Sequence, residues 1–187
     1  MPNATKTSAK ASKHASAPKP AARKTEARSK APATPDAIQL LIADHKEVKA
    51  LFKDYDQLVK SEAQAEDKQT IAVLICTMLT AHATVEEELF YPAARSVLGE
   101  NEDLVDEADV EHTSCKELIA QIEDGSPGDP LYDAKVKVLG EYIDHHVKEE
   151  EGEMFPKVRK SDLDLDALGE DMAARKAELL GEDADRH

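Results

Sequence analysis

The segment His82-Ala-Thr-Val-Glu86-Glu87-Glu88-Leu-Phe-Tyr-Pro92-Ala-Ala-Arg95 returns 64 residues later as His146-Val-Lys-Glu-Glu150-Glu151-Gly-Glu-Met-Phe-Pro156-Lys-Val-Arg159. His, Glu, Glu, Pro and Arg fall at matching offsets. Four residues make one helical turn plus about 40°, so the His and Glu of each His-x3-Glu lie on one face and are aimed the same way. Two such pairs on facing helices can surround a pair of metal ions. The fold must therefore set two long helices side by side.

The apolar spacing around these segments is helical. From Thr34-Pro35-Asp36, read as N-cap, first helical position and first-turn acid, a stripe of Ile38, Leu41, Ile42, Val48, Leu51, Phe52, Tyr55 and Val59 contains His45 and predicts a helix to about Lys60. A second helix, from about Ala65 to Tyr91, carries Ile71, Leu74, Ile75, Met78, Leu79, Val85 and Leu89 on the face of His82 and Glu86. Pro92 is read as its end. A third, from about Glu102 to Glu123, aligns Val105, Ala108, Cys115, Ile119 and Ile122 with His112. Asp129-Pro130 is read as the cap of a fourth, whose stripe of Val136, Leu139, Ile143 and His146 ends at Pro156. Short connections between amphipathic helices predict an all-α, antiparallel up-and-down four-helix bundle, with an extra C-terminal helix over about Leu165 to Leu180.

Composition agrees and divides the chain. Trp is absent and aromatics make up 4% of the residues, against 41% hydrophobic and 34% charged, a balance that favours helices over sheet. The net charge of −15 hides a basic beginning: residues 1–33 hold eight Lys or Arg against Glu26 alone. With no large apolar side chain after Met1, that segment is expected to be a disordered basic tail. The bundle is then assigned to residues 34–160, and the last helix and a frayed end to 161–187. Cys76 and Cys115 lack the spacing of a disulfide or zinc framework and read as reduced core residues. No run of 18 apolar residues is present, so no membrane span is expected. The expected compartment is the cytoplasm.

His45, His82, Glu86, His112, His146 and Glu150 all fall within apolar stripes. Burying such groups without a partner costs several kcal/mol, and a bound cation removes that cost. A mixed nitrogen and oxygen donor set suits iron or manganese, and Glu86 and Glu150 can bridge two ions. The pattern is internally paired: Asp44-His45 and Glu111-His112 each precede a His-x3-Glu, with 67 and 64 residues between equivalent histidines. Glu87, Glu88, Glu149 and Glu151 read as solvated surface, and His145 as exposed or supporting. Glu153 sits seven residues after His146, on the inward face. Tyr55 and Tyr142 are expected to face inward as core residues.

The ordered pattern His45, His82-x3-Glu86, His112, His146-x3-Glu150, with its Leu-Phe-Tyr-Pro and Glu-Met-Phe-Pro endings, resembles the hemerythrin-like or HHE cation-binding family over roughly residues 36 to 159. The resemblance implies a four-helix bundle around an oxygen-bridged di-iron centre, with manganese or zinc as alternative metals. Oxygen-carrying hemerythrins have His-x3-His on the third helix, where this chain has Lys116, and His-x4-Asp on the fourth, where it has His146-x3-Glu150. One protein nitrogen is thus missing. An open position favours reaction with O2, nitric oxide or peroxide over reversible oxygen carriage.

Three functions compete on this reading. One is a di-iron binding protein for sensing, handling or iron buffering. Another is an enzyme with peroxidase, catalase-like or nitric oxide-reducing activity at the same site. A third is an interaction protein whose basic tail contacts nucleic acid through salt-sensitive phosphate pairing. The tail has no aromatics for base stacking.

Overall fold

The computed structural model of the protein describes residues 35–184, with side chains as far as Gly181. The expected basic tail lies outside them. Among the described residues all regular structure is helical: α1 (Ala37–Lys60), α2 (Ala65–Val85), a π-helical turn (Glu86–Phe90), α3 (Tyr91–Leu98), α4 (Asp103–Glu123), α5 (Tyr132–Glu149), a second π-helical turn (Glu150–Met154), α6 (Phe155–Val158) and α7 (Leu165–Ala184). α1 packs on α2 and α5, and α4 packs on the same two, which closes a four-helix bundle. The bundle and its extra C-terminal helix agree with the expected fold class.

Two helix starts differ from the sequence reading. α1 begins at Ala37 because Asp36 is its cap: Asp36 Oδ1 accepts the Gln39 N–H at 2.8 Å and Gln39 Oε1 accepts the Asp36 N–H at 3.1 Å. These reciprocal bonds satisfy two otherwise orphaned backbone donors. α5 begins at Tyr132, behind Leu131 in the left-handed region (φ 69°). Asp129 does not cap it, because its carboxylate accepts the Ser126 N–H at 2.7 Å and closes the preceding turn.

The two prolines also act otherwise than expected. Neither Pro92 nor Pro156 ends its helix. Each sits at the second residue of a continuing α-helix, just after a π-helical turn in which Tyr91 N–H bonds to Glu86 O and Phe155 N–H to Glu150 O. A proline in a regular helix lacks a donor and collides with the carbonyl four residues back. The wider turn, with its five-residue hydrogen bond, moves that carbonyl aside. α2, the π turn and α3 thus form one helical run to Asn101. This run reaches a mean hydropathy of 1.2 over an 18-residue window, so by length and composition it qualifies as a membrane-span candidate. It nevertheless carries the buried His82 and Glu86 and packs against α1, α4 and α7, as a core helix of the bundle.

The core is two apolar clusters with a polar layer between them. One gathers Ile38, Leu41, Phe90, Val105, Phe155 and Met172; the other gathers Val48, Ile75, Leu79, Ile119, Ile122, Leu139 and Ile143. His45 lies between Leu41 and Val48 on α1, and His112 between Ala108 and Cys115 on α4. Leu74 departs from its expected place and is exposed, because α2 turns Ile75 and Leu79 inward. Tyr142 is exposed as well, and Glu153 is exposed and pairs with Lys157, the π turn having rotated it off the inward face.

α7 seals the first cluster with Met172, which is fully buried. Its approach to α1 requires Gly169: a Cβ there would lie 2.7 Å from Ala37 N and Pro35 O, both backbone atoms that cannot yield. Gly169→Ala is expected to destabilise the protein by about 1–3 kcal/mol through overpacking, read as a lower urea midpoint. An unchanged midpoint would show that α7 is not held this tightly.

Candidate metal centre

The six residues singled out in the sequence meet in the polar layer. Side chains of His45, His82, Glu86 and Glu150 place one donor atom each within 4.8 Å of one another, and Glu86, His112 and His146 form a second such group. Glu86 belongs to both. All six residues are buried, Glu86 at 0% and Glu150 at 1% exposure. The contacts converge on the carboxylates: His82 Nε2 and His112 Nε2 lie 3.1 and 3.4 Å from Glu86 Oε2, while His45 Nε2 and His146 Nε2 lie 3.3 and 3.4 Å from Glu150 Oε2.

The outer nitrogen of every imidazole is anchored. Nδ1–H of His45 donates to Glu151 at 2.9 Å, that of His82 to Asp44 at 3.3 Å, that of His112 to Glu87 at 3.0 Å, and that of His146 to Glu111 at 2.8 Å. A carboxylate can only accept, so each contact fixes the proton on Nδ1 and turns the Nε2 lone pair inward. This is the arrangement that orients metal-bound histidines and raises their donor strength. Glu87 and Glu151 are therefore not idle surface. Each follows a buried glutamate by one residue, about 100° around the helix, and reaches a histidine of the other half.

Five inward atoms have no hydrogen-bond partner: His45 Nε2, His82 Nε2, both oxygens of Glu86, and Glu150 Oε2. Their pairwise distances are short, but the angles are not those of hydrogen bonds. His112 Nε2 and His146 Nε2 lie 3.2 Å apart. Lone pairs this close need a proton or a cation between them. Protons can take that role. Burial opposes the imidazolium of His82, yet the Glu86 charge and the Asp44 hydrogen bond outweigh it and raise His82 to about 10. Burial likewise opposes charge on His112, but Glu86 and Glu87 raise it to about 9. Burial also disfavours the Glu86 carboxylate, and the flanking His82 and His112 more than offset this, holding it well below the usual carboxylate range. The orphaned donors and their hard and borderline chemistry fit a metal cation, which would take the place of those protons.

Sequence reasoning missed Tyr91. Its buried hydroxyl donates to Glu150 Oε1 at 3.1 Å and lies 3.2 Å from His112 Nε2. Burial and the Glu150 and Glu86 charges raise this phenol well above its ordinary value, so it remains a donor. The signal was its position five residues after Glu86, which a π turn places on the same side. The equivalent residue in the second half is Phe155, whose ring stacks on His45 with centroids 5.9 Å apart. Tyr55 is buried as expected, but donates to Asp133 at 2.7 Å, away from the layer. Lys116, in the slot of the missing histidine, turns outward to Glu87. His145 is exposed, against Glu111 and Glu149.

Beside the imidazoles lies a cavity of about 30 Å³, walled by Val48, Leu79, Cys115, Ile119, Ile143 and Val147. One water needs about 10–15 Å³, so the space takes a diatomic molecule or two waters. Burial pushes the Cys115 thiol up to about 11, so it contributes a neutral wall.

The family model described as the hemerythrin HHE cation binding domain matches residues 36–158. A solved hemerythrin HHE cation binding domain-containing protein of Mycobacterium kansasii superposes with a TM-score of 0.65 at 25% identity, covering 79% of this chain and 89% of that one. A curated protein of Nostoc sp. named DNA nickase is 34% identical over 121 residues, which are 63% of this chain and 32% of that protein. The chain thus spans about a third of the length of that relative. With a family model matched across the whole bundle and the buried His and Glu layer inside it, the chain belongs to the hemerythrin HHE cation-binding family.

Proposed function

We propose that the chain binds two iron ions in the polar layer, one against His45 and His82 and the other against His112 and His146, with Glu86 and Glu150 shared between them. The proposed role is to meet a small ligand, O2, nitric oxide or peroxide, in sensing, handling or iron buffering. The observation that carries this reading is the set of five buried donor atoms without a hydrogen-bond partner. When bound, iron supplies Lewis acidity and one-electron chemistry. The protein's own part is to fix the four imidazole tautomers, donate the Tyr91 hydroxyl toward Glu150, and admit only molecules of about diatomic size to the cavity. Turnover of peroxide or nitric oxide would use the same groups, with Tyr91 as a proton-bearing neighbour. Two reduced, buried cysteines support a cytoplasmic setting.

Metal counting on protein purified anaerobically tests the assignment. About two irons per chain are expected in the parent and fewer than half of that in His82→Ala or Glu86→Ala, because losing one donor leaves the others buried and unsatisfied. Manganese or zinc in place of iron would correct the metal. Equal iron in parent and variants would remove the site.

The raised histidines give a pH signature in the metal-free protein. Their stabilisation is fully present below the unfolded value of about 6.5 and is lost as pH rises through the folded values, about 9 for His112 and about 10 for His82. The melting temperature of metal-free protein is therefore expected to fall between pH 7 and 10. The metal-loaded protein should not fall in that window, since the cation has displaced those protons. Parallel curves would count against the shared use of these nitrogens by protons and metal.

A second reading rests on the basic segment and on the relative named DNA nickase. The cavity is far too small for a phosphodiester, and the cations of residues 1–33 are the ones that would release counterions from phosphates. A chain beginning at Thr34 is expected to lose salt-sensitive retention on DNA. Retention equal to that of the full chain would remove this reading.

A further inference from the structure

Outside the residues matched by the family model, α7 brings a cation to the metal layer. Lys176 stands one turn after the fully buried Met172 and is itself 18% exposed at its side chain. Its Nζ donates to Asp44 Oδ1, and Asp44 Oδ2 accepts the Nδ1–H of His82. A continuous relay thus runs from Lys176 through Asp44 to His82. α7 is fixed at this height by Gly169 against the backbone of α1 and by the buried Met172, while the partly exposed Arg175 pairs with Glu88 at 2.7 and 3.2 Å.

In the other half the corresponding pairs are more open to solvent. Glu111 is the counterpart of Asp44 and orients His146, but its second oxygen faces His145, which is 63% exposed, at 3.4 Å. Glu151, behind His45, is 40% exposed, and Glu87, behind His112, pairs with Lys116 at 47% exposure, where solvent screens the pair. Asp44 with Lys176 is the drier of these pairs, so its charge balance is felt most strongly at the layer.

We propose that Lys176 is a positioning residue that makes the two metal positions inequivalent: by neutralising Asp44 it weakens the negative field behind His82 and favours the reduced form of the ion held there. This rests on the metal-binding reading above. An uncompensated Asp44 would push electron density through His82 and favour the more highly charged, oxidised ion. Removing the lysine charge should therefore shift the reduction potential of that ion downward, leaving the other comparatively unchanged.

The test is a spectroscopic redox titration, with iron counting, of the full-length parent, Lys176→Met, Lys176→Arg and Arg175→Ala. Lys176→Met is expected to keep its iron and to show one of two steps displaced negatively by about tenfold in the reduced-to-oxidised ratio, which is 59 mV for one electron. Lys176→Arg should restore the parent value, and Arg175→Ala, which removes a neighbouring α7 cation that pairs with Glu88 and not with Asp44, should leave it in place. Iron loss in Lys176→Met overturns the proposal, because a more negative field behind His82 should hold a cation more tightly. Full iron with an unmoved potential in Lys176→Met overturns it, as does an equal effect in Arg175→Ala. A parent chain that binds no iron overturns the metal reading and this inference together.

Discussion

Two fully buried carboxylates, Glu86 and Glu150, set the terms for the rest of the molecule. An anion in a low-dielectric interior must be compensated, and the surrounding structure supplies compensation in shells. Four imidazole Nε2 atoms close on the two glutamates, four further carboxylates hold the outer nitrogens, and lysines stand behind two of those. The sign of charge alternates outward from the centre to the surface. The apolar clusters on either side keep solvent from the inner steps of this series.

The shells also bind the two halves to each other. Asp44 orients His82 and Glu111 orients His146, each within its own half. Glu87 orients His112 and Glu151 orients His45, each across to the other half. A single helical hairpin could present its three inward donors but could hold only one of its two histidines in the right tautomer. Coupling of this kind makes the layer cooperative, since moving one helix disturbs tautomers on the opposite side.

Much of this was legible in the chain because helical periodicity is a strong signal. The stripes of α1, α4 and α5 and the six inward residues follow from spacing at three and four residues, which side-chain packing then enforces. Spacing fails wherever the helix stops being regular. Pro92 and Pro156 read as terminators because the π turns that accommodate them leave no local mark, and Tyr91 was overlooked for the same reason. Glu87 and Glu151 were read as surface because they point away from the ligand face. Only the neighbouring helix reveals what they meet. The Lys176 contact spans 132 residues and belongs to no repeat, so it is a property of tertiary packing alone.

Viewed as a count of residues, each π turn is a one-residue insertion in an otherwise regular helix. Everything beyond it is rotated by about 100° relative to an uninterrupted α-helix. The shift is what brings Tyr91 and Phe155 over the imidazoles and carries Glu153 out to solvent. Chain length at these two points thus behaves as a switch on composition: shortening either run by one residue would present a different set of side chains to the same buried glutamate. In aligning distant relatives, a one-residue gap just after His-x3-Glu therefore carries chemical meaning, because it changes which groups can reach the ion.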